Sequence, residues 1–284
     1  MTPFFSHIVK ALVCTVCILA GSASAAMAEV SLAAFADKEG TISIAGGTAH
    51  IPVMNEAAKN IMGLNPKIKI TVAGGGSGVG VKQVGEGLVD IGNTGRPLKE
   101  DEIARYKLVS HPFAIDGVAV VTHAGNNVSG LTAQQVADIY SGKLTNWKDV
   151  GGQDAPISLY TREDGSGTRE VFVEKAINKG EIAQTAAIVN SNGAMKTAVG
   201  KDANAIGYVG IGHVDASVKA MRIDGVAATQ ENAADGSYPV TRKLFMNVQE
   251  KAGPLVLMFV DYILTSSDGE QAITKSGYIP LQKR

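Results

Sequence analysis

Three times along this chain an alternating apolar run ends in glycine beside a hydroxyl residue, and helical spacing begins at once. The turns are Ala45-Gly46-Gly47-Thr48-Ala49, Gly74-Gly75-Gly76-Ser77-Gly78 and Asp164-Gly165-Ser166-Gly167-Thr168. Before them, Ile42 and Ile44, then Ile68, Ile70 and Val72, then Ile157 and Leu159 recur at the period of a strand. After the first two, Ile51 to Met62 and the set Val81, Val84 and Leu88 recur at helical intervals. Strand, turn and helix repeated in that order define an α/β class with a mainly parallel sheet and helices on both faces.

Residues 1–28 stand outside the pattern. A short start ending in Lys10, an apolar core from Ala11 to Gly21 and the small-residue close Ala26-Met27-Ala28 make a secretory signal, with cleavage expected after Ala28. The core is about half of the ~20 residues a spanning helix needs. Both cysteines, Cys14 and Cys17, lie inside this segment. The processed chain is therefore expected to lack disulfides, cysteine nucleophiles and thiolate metal sites. The full chain carries 26 basic and 27 acidic side chains, and Lys10 is the one that leaves with the leader. That balance offers no basic face for nucleic acid or anionic lipid. An anion would have to be bound locally.

Residues 29–284 are long for one core and suit two lobes. His111 to His123 reads as a strand that leaves one lobe and enters the other, and Ala205 to Val209 as a second crossing. Two crossings make a hinged cleft, with lobe I expected over 29–112 plus 215–284 and lobe II over 113–214. Within lobe II, Leu131 to Tyr140 is helical, opened by Thr132 as N-cap.

At a helix start the first backbone N–H groups lack internal acceptors, and the aligned peptide dipoles place partial positive charge there. An anion answers both, glycine lets it approach the backbone, and Ser or Thr adds a hydroxyl donor. Taken singly, each turn also reads as an ordinary helix start. Three residues after Ser166 stands Arg169, and after Ser77 stands Gly80, so no Glu or Gln completes a capping box at either. In the third turn Arg162 offers a planar fork suited to an oxyanion. Asp164 either orients Arg162, or accepts a proton that the ligand still carries, or forms a surface pair with it.

With these residues in hand, the chain resembles the periplasmic phosphate-binding proteins of Pst-type ABC importers, of the type II periplasmic binding protein family. The phosphate loop Arg-x-Asp-Gly-Ser-Gly-Thr is matched by Arg162, Asp164, Gly165, Ser166, Gly167 and Thr168, and LTAQQVADIYSGKLTNWKDVGG, AIGYVGIGHV, GYIPL and VDIGNTGRPL have counterparts too. The resemblance implies two α/β lobes with mixed sheets, a hinged cleft, a periplasmic monomer, no metal or other cofactor, and delivery of inorganic phosphate to an inner-membrane permease. It implies ligand contacts at Thr48 and Ala49, at Ser77 and Gly78, and at Ser166, Gly167 and Thr168, with Arg162 as charge partner and Asp164 as its orienting carboxylate. One position departs. Where the best-known branch has an aspartate that accepts the phosphate proton, this chain has Gly95. Arg96 beside it either widens tolerance to arsenate, sulfate, tungstate or molybdate, or only holds the loop.

Enzyme readings fare poorly. His50, His111, His123 and His213 form no close-spaced pair, so a motif such as HExxH is missing. Neither Ser77 nor Ser166 sits in G-x-S-x-G, because Val79 follows the first and Asp164 precedes the second at the required positions. Gly142-Lys143 is followed by Leu144, which breaks a P-loop, and the glycine runs miss G-x-G-x-x-G. A secreted phosphoesterase and a sensor-coupled receptor remain the alternatives from other classes.

Overall fold

The computed structural model describes residues 29–281, so the leader expected over 1–28 lies outside the described residues. In chain order it opens with β1 (Gly40–Gly46), α1 (Ile51–Leu64), β2 (Ile68–Gly75), α2 (Gly76–Gly85), β3 (Ile91–Thr94), α3 (Glu100–Tyr106) and the long β4 (Leu108–His123). It continues through β5 (Gly130–Leu131), α4 (Ala133–Tyr140), β6 (Ser158–Arg162), α5 (Gly167–Lys175), β7 (Ala187–Val189) and α6 (Asn192–Lys201). Then come β8 (Ala205–Gly210), β9 (Val218–Ala220), β10 (Arg222–Ile223), α7 (Gln230–Ala234), β11 (Thr241–Gln249), α8 (Pro254–Thr265), α9 (Ser267–Lys275) and β12 (Ile279–Pro280).

The alternation read in the first strands decides where the first core lies. Ile42 and Ile44 of β1 and Ile68 and Ile70 of β2 pack against the stripe Val53, Met54, Ala57, Ala58 and Ile61 of α1, and against Phe259, Tyr262 and Ile263 of α8. β1 pairs in parallel with β2, Ile42 opposite Ile70, and with β3, Ile44 opposite Ile91. On the other face Val81 and Val84 of α2 close over Leu108. Both faces are therefore covered, as a parallel arrangement requires.

The second core is built around the far half of β4. Val118 and Val120 join Ile206 and Tyr208 of β8 under α4 and α5, while Ala119 and Val121 point to the opposite face against Met195 and Val199 of α6. Alternate residues of one strand thus serve two buried faces. Thr132 caps α4 as expected, accepting from Gln135 N at 3.1 Å while Gln135 Oε1 accepts from Thr132 N at 2.8 Å.

The strand order β2-β1-β3-β11-β4-β8-β6-β7 runs through both lobes, and β4 is the shared member. Its near half carries Phe113 and Ala114 into the first core, and its far half carries Val118 into the second. The return point differs from the expectation. β8 stays within lobe II, and 215–240 stays with it: β9 adds to β4 with Val121 opposite Ala220, and Met221, Ile223, Tyr238 and Val240 pack in its core. Tyr238 Oη donates to Val118 O at 2.9 Å. The chain goes back at Val240 to Thr241, where β11 begins its antiparallel pairing with β4, Thr241 opposite Gly117. Lobe II therefore extends about one supersecondary unit beyond 214.

Candidate functional site

β1 ends on Gly46 at φ 120, a left-handed value that a side chain resists, and the chain turns through Gly47, Thr48, Ala49 and His50 into α1. Gly75 at φ 123 makes the same break between β2 and α2. After β6 the turn through Gly165 delivers Ser166 as the N-cap of α5. These helix starts, two from lobe I and one from lobe II, meet at one small cavity, with about 10 Å³ open to the centre of a water-sized sphere. Drug-sized ligands occupy roughly 300–1,000 Å³, so this space suits a small polar guest. A Cβ on Gly167 would collide with Ser77 Oγ, which shows how closely the lobes approach.

Thr48, Ala49, Ser77, Gly95, Arg162, Ser166, Gly167 and Thr168 all line the cavity. Their hydroxyls are already occupied as acceptors. Thr48 Oγ1 accepts from Asn192 N at 3.2 Å and Asn192 Nδ2 at 3.0 Å, Ser77 Oγ from Gly95 N at 3.0 Å, Ser166 Oγ from Arg169 N at 3.3 Å and Thr168 Oγ1 from Arg242 Nη1 at 2.9 Å. Each hydroxyl proton is left to point elsewhere, and the cavity is where an acceptor would meet it. Gly167 and Thr168, as the first residues of α5, have no intrahelical acceptor for their N–H groups. Ser166 caps one amide of that helix itself, which the lack of a Glu or Gln partner had not suggested.

Arg162 is 1% exposed, and its Nη1 has no hydrogen-bond partner among the described residues. The carboxylate that holds it is Glu163, not the expected Asp164. Nε donates to Glu163 Oε2 at 2.9 Å and Val189 O at 3.2 Å, and Nη2 to Glu163 Oε1 at 2.8 Å. Asp164 turns out to solvent and pairs with Arg169, one turn into α5. Gly78 also lies off the cavity, its N–H donating across the lobes to Gly165 O at 3.0 Å. Arg96 holds its loop: Nη1 and Nη2 each reach Glu102 at 2.7 Å, and Nε lies 2.6 Å from Glu170 of lobe II.

Two residues complete the lining that sequence reasoning had not placed there. Arg242 of β11 comes from far along the chain with no local motif to mark it. His50 directly follows the first turn, where it caps the start of α1, and it is fully buried. Its Nδ1 lies 3.2 Å from Gly47 O, so that nitrogen carries the proton in the neutral ring. Burial, then the Arg242 charge, brings the imidazole down to about 3, against the pull of nearby carbonyls. The ring is neutral at physiological pH. Among the described residues no group of three or more His, Cys, Asp or Glu is placed to hold a metal ion.

A PBP superfamily domain matches residues 33–267. The chain belongs to that superfamily. Among the relatives of this superfamily member is the phosphate-binding protein PstS of Bacillus subtilis, 35% identical over 85% of this chain and 81% of its own length. The PstS of Pseudomonas aeruginosa is 31% identical over 85% of this chain and 83% of its own. Two of the solved structures that match in fold and sequence are phosphate transport proteins. A phosphate ABC transporter substrate-binding protein of Clostridium perfringens with bound phosphate is 38% identical, with a TM-score of 0.81 over 86% of this chain and all of the other. An ABC-type phosphate transport receptor of Vibrio cholerae is 34% identical, with a TM-score of 0.68 over 85% of this chain and all of the other. The two-lobed α/β fold is thus common to this chain and phosphate-binding members of the superfamily.

Proposed function

We propose that the protein captures inorganic phosphate and delivers it to the permease of an ABC transporter. The observation that carries this reading is the buried, unpartnered Nη1 of Arg162 at a small cavity where helix starts from both lobes converge. The names of its relatives agree in phosphate binding and transport. Phosphate favours closure because Thr48 and Ser77 reach it from lobe I while Ser166 and Thr168 reach it from lobe II. Micromolar capture corresponds to about −8 kcal/mol. Helix termini at up to ~2 kcal/mol each in buried geometry, with charge-assisted bonds at about 1.5–3 kcal/mol, are of the size required after desolvation.

The leader expected over 1–28 supports a periplasmic location, and no helix among the described residues is long and apolar enough to cross a membrane. A role as monomeric receptor without covalent chemistry fits the lining. None of its serine or threonine hydroxyls hydrogen-bonds to His50, so a nucleophile and base are not paired there. Titration calorimetry with phosphate tests the proposal, and absence of binding in the micromolar to millimolar range would overturn it. Turnover of a chromogenic phosphate ester by the purified protein would replace it with the phosphoesterase reading.

A further inference from the structure

Thr48 lines the cavity from lobe I, but the hydrogen bonds that orient its hydroxyl come from lobe II. Thr48 Oγ1 accepts from Asn192 N at 3.2 Å and from Asn192 Nδ2 at 3.0 Å, and both residues are buried. The orientation of that amide is fixed. Asn192 Oδ1 accepts from Gly210 N at 3.0 Å, and because an N–H can only donate, the amide oxygen must face Gly210 and the nitrogen must face Thr48. Asn192 is also the first residue of α6, whose N-cap Ser191 takes up Ala194 N at 2.9 Å. The backbone N–H of Asn192 has no acceptor within its helix, and the aligned peptide dipoles strengthen it as a donor. A fourth helix start therefore reaches the site by way of the Thr48 hydroxyl.

We propose that Asn192 is a positioning residue that turns Thr48 into a dedicated donor when the lobes close, so that shutting the cleft and readying the hydroxyl for an anion are one event. The inference rests on the phosphate-capture reading of the same site. A threonine hydroxyl has two lone pairs and one proton, and Asn192 fills both lone pairs. Only the proton is left to give. Two donors on the oxygen also polarise the O–H bond, which makes it a stronger donor toward a guest in the cavity. Thr48 and Asn192 belong to different lobes, so opening the hinge parts them and leaves the hydroxyl to water, with no preferred direction for its proton. Two other contacts bridge the cleft: Gly78 N donates to Gly165 O at 3.0 Å, and Arg96 Nε lies 2.6 Å from Glu170. Neither ends on a hydroxyl that lines the cavity.

The test is titration calorimetry with inorganic phosphate on the full processed chain, with ligand-free melting of every variant. The variants are Asn192→Ala, Asn192→Asp, Thr48→Ala, and Thr48→Ala joined to each Asn192 substitution. Asn192→Ala removes Nδ2 and keeps the backbone donor, so phosphate is expected to weaken about three- to tenfold. It also strips Gly210 N of its acceptor, and if ligand-free melting falls by more than a few degrees the aspartate variants decide. Asn192→Asp keeps an oxygen for Gly210 N and sets a second carboxylate oxygen where Nδ2 stood. The Thr48 proton then turns to that carboxylate and away from the guest, and the new charge opposes the anion. A loss of at least about a hundredfold is expected.

In the Thr48→Ala background, Asn192→Ala should cost no more than about twofold, and Asn192→Asp at least about threefold less than it does beside the native threonine. A plain latch between the lobes would survive Asn192→Asp, because the hydroxyl can donate to the carboxylate, and the loss would then be equal in the two backgrounds. A role confined to holding lobe II together gives the same equality. An equal loss from Asn192→Asp with and without the Thr48 hydroxyl, or native affinity in Thr48→Ala or Asn192→Asp, would overturn the inference and leave phosphate capture standing. Failure of the wild type to bind phosphate would overturn both.

Discussion

Changing Arg162 to alanine and, separately, to lysine separates the work of its charge from that of its shape. In the native chain Nε and Nη2 are spent on Glu163, and Nη1 is the donor left for the anion. One hydrogen bond to a charged group is worth about 1.5–3 kcal/mol, and 1.4 kcal/mol is about tenfold in affinity. Losing Nη1 alone should thus weaken phosphate by about tenfold to a hundredfold. Lysine falls in that range, because a single ammonium cannot grip the Glu163 fork and reach the ligand together. Alanine does more, since it releases Glu163 beside a cavity proposed to hold an anion. That carboxylate is 25% exposed and can hydrate, so we assign the repulsion only about a further 1 kcal/mol. The alanine variant should lose at least about a hundredfold. The assay is phosphate calorimetry paired with thermal melting of the ligand-free proteins, whose melting temperatures should stay within a few degrees of wild type. Unchanged affinity in Arg162→Ala would remove the residue from the site, and equal losses in both variants would refute the argument from Glu163.

Two further perturbations test the lobe contact and the buried imidazole. Gly167→Ala puts a methyl group into Ser77 Oγ and 3.3 Å from Gly95 N, across the lobe interface. Phosphate affinity should fall at least about tenfold while ligand-free melting is nearly unchanged, and calorimetry showing native affinity would mean the lobes need not approach this closely. For His50, the unfolded chain takes up a proton near pH 6.5 that the folded ring, held at about 3, refuses. Its contribution to stability is full above about pH 6.5 and is lost as pH falls toward about 3. Melting temperature should drop through that window, and His50→Leu should flatten the slope. Parallel slopes in the two proteins would show that His50 does not titrate this way.

The comparison of sequence with structure turns on range. Gly46 and Gly75 were visible as turns because a left-handed backbone angle restricts residue type on the spot. Thr132 announced the start of α4 for the same local reason. The lobe boundary was hidden because 215–240 enters the second core through scattered residues of strands only two or three residues long, which leave no period to read. Glu163 and Asp164 flank the same turn, and spacing alone could not say which would hold Arg162.

By itself the amino-acid order determined the α/β class, the three helix starts and the hydroxyls and glycines that face the cavity. These follow from dihedral limits and side-chain chemistry acting over a few residues. Tertiary structure alone decided that Arg242 would line the cavity, because that placement depends on β11 pairing with β4, Arg242 opposite Asp116. A buried guanidinium persists only where a distant strand supplies its counter-charge, and no local stretch of sequence carries that information.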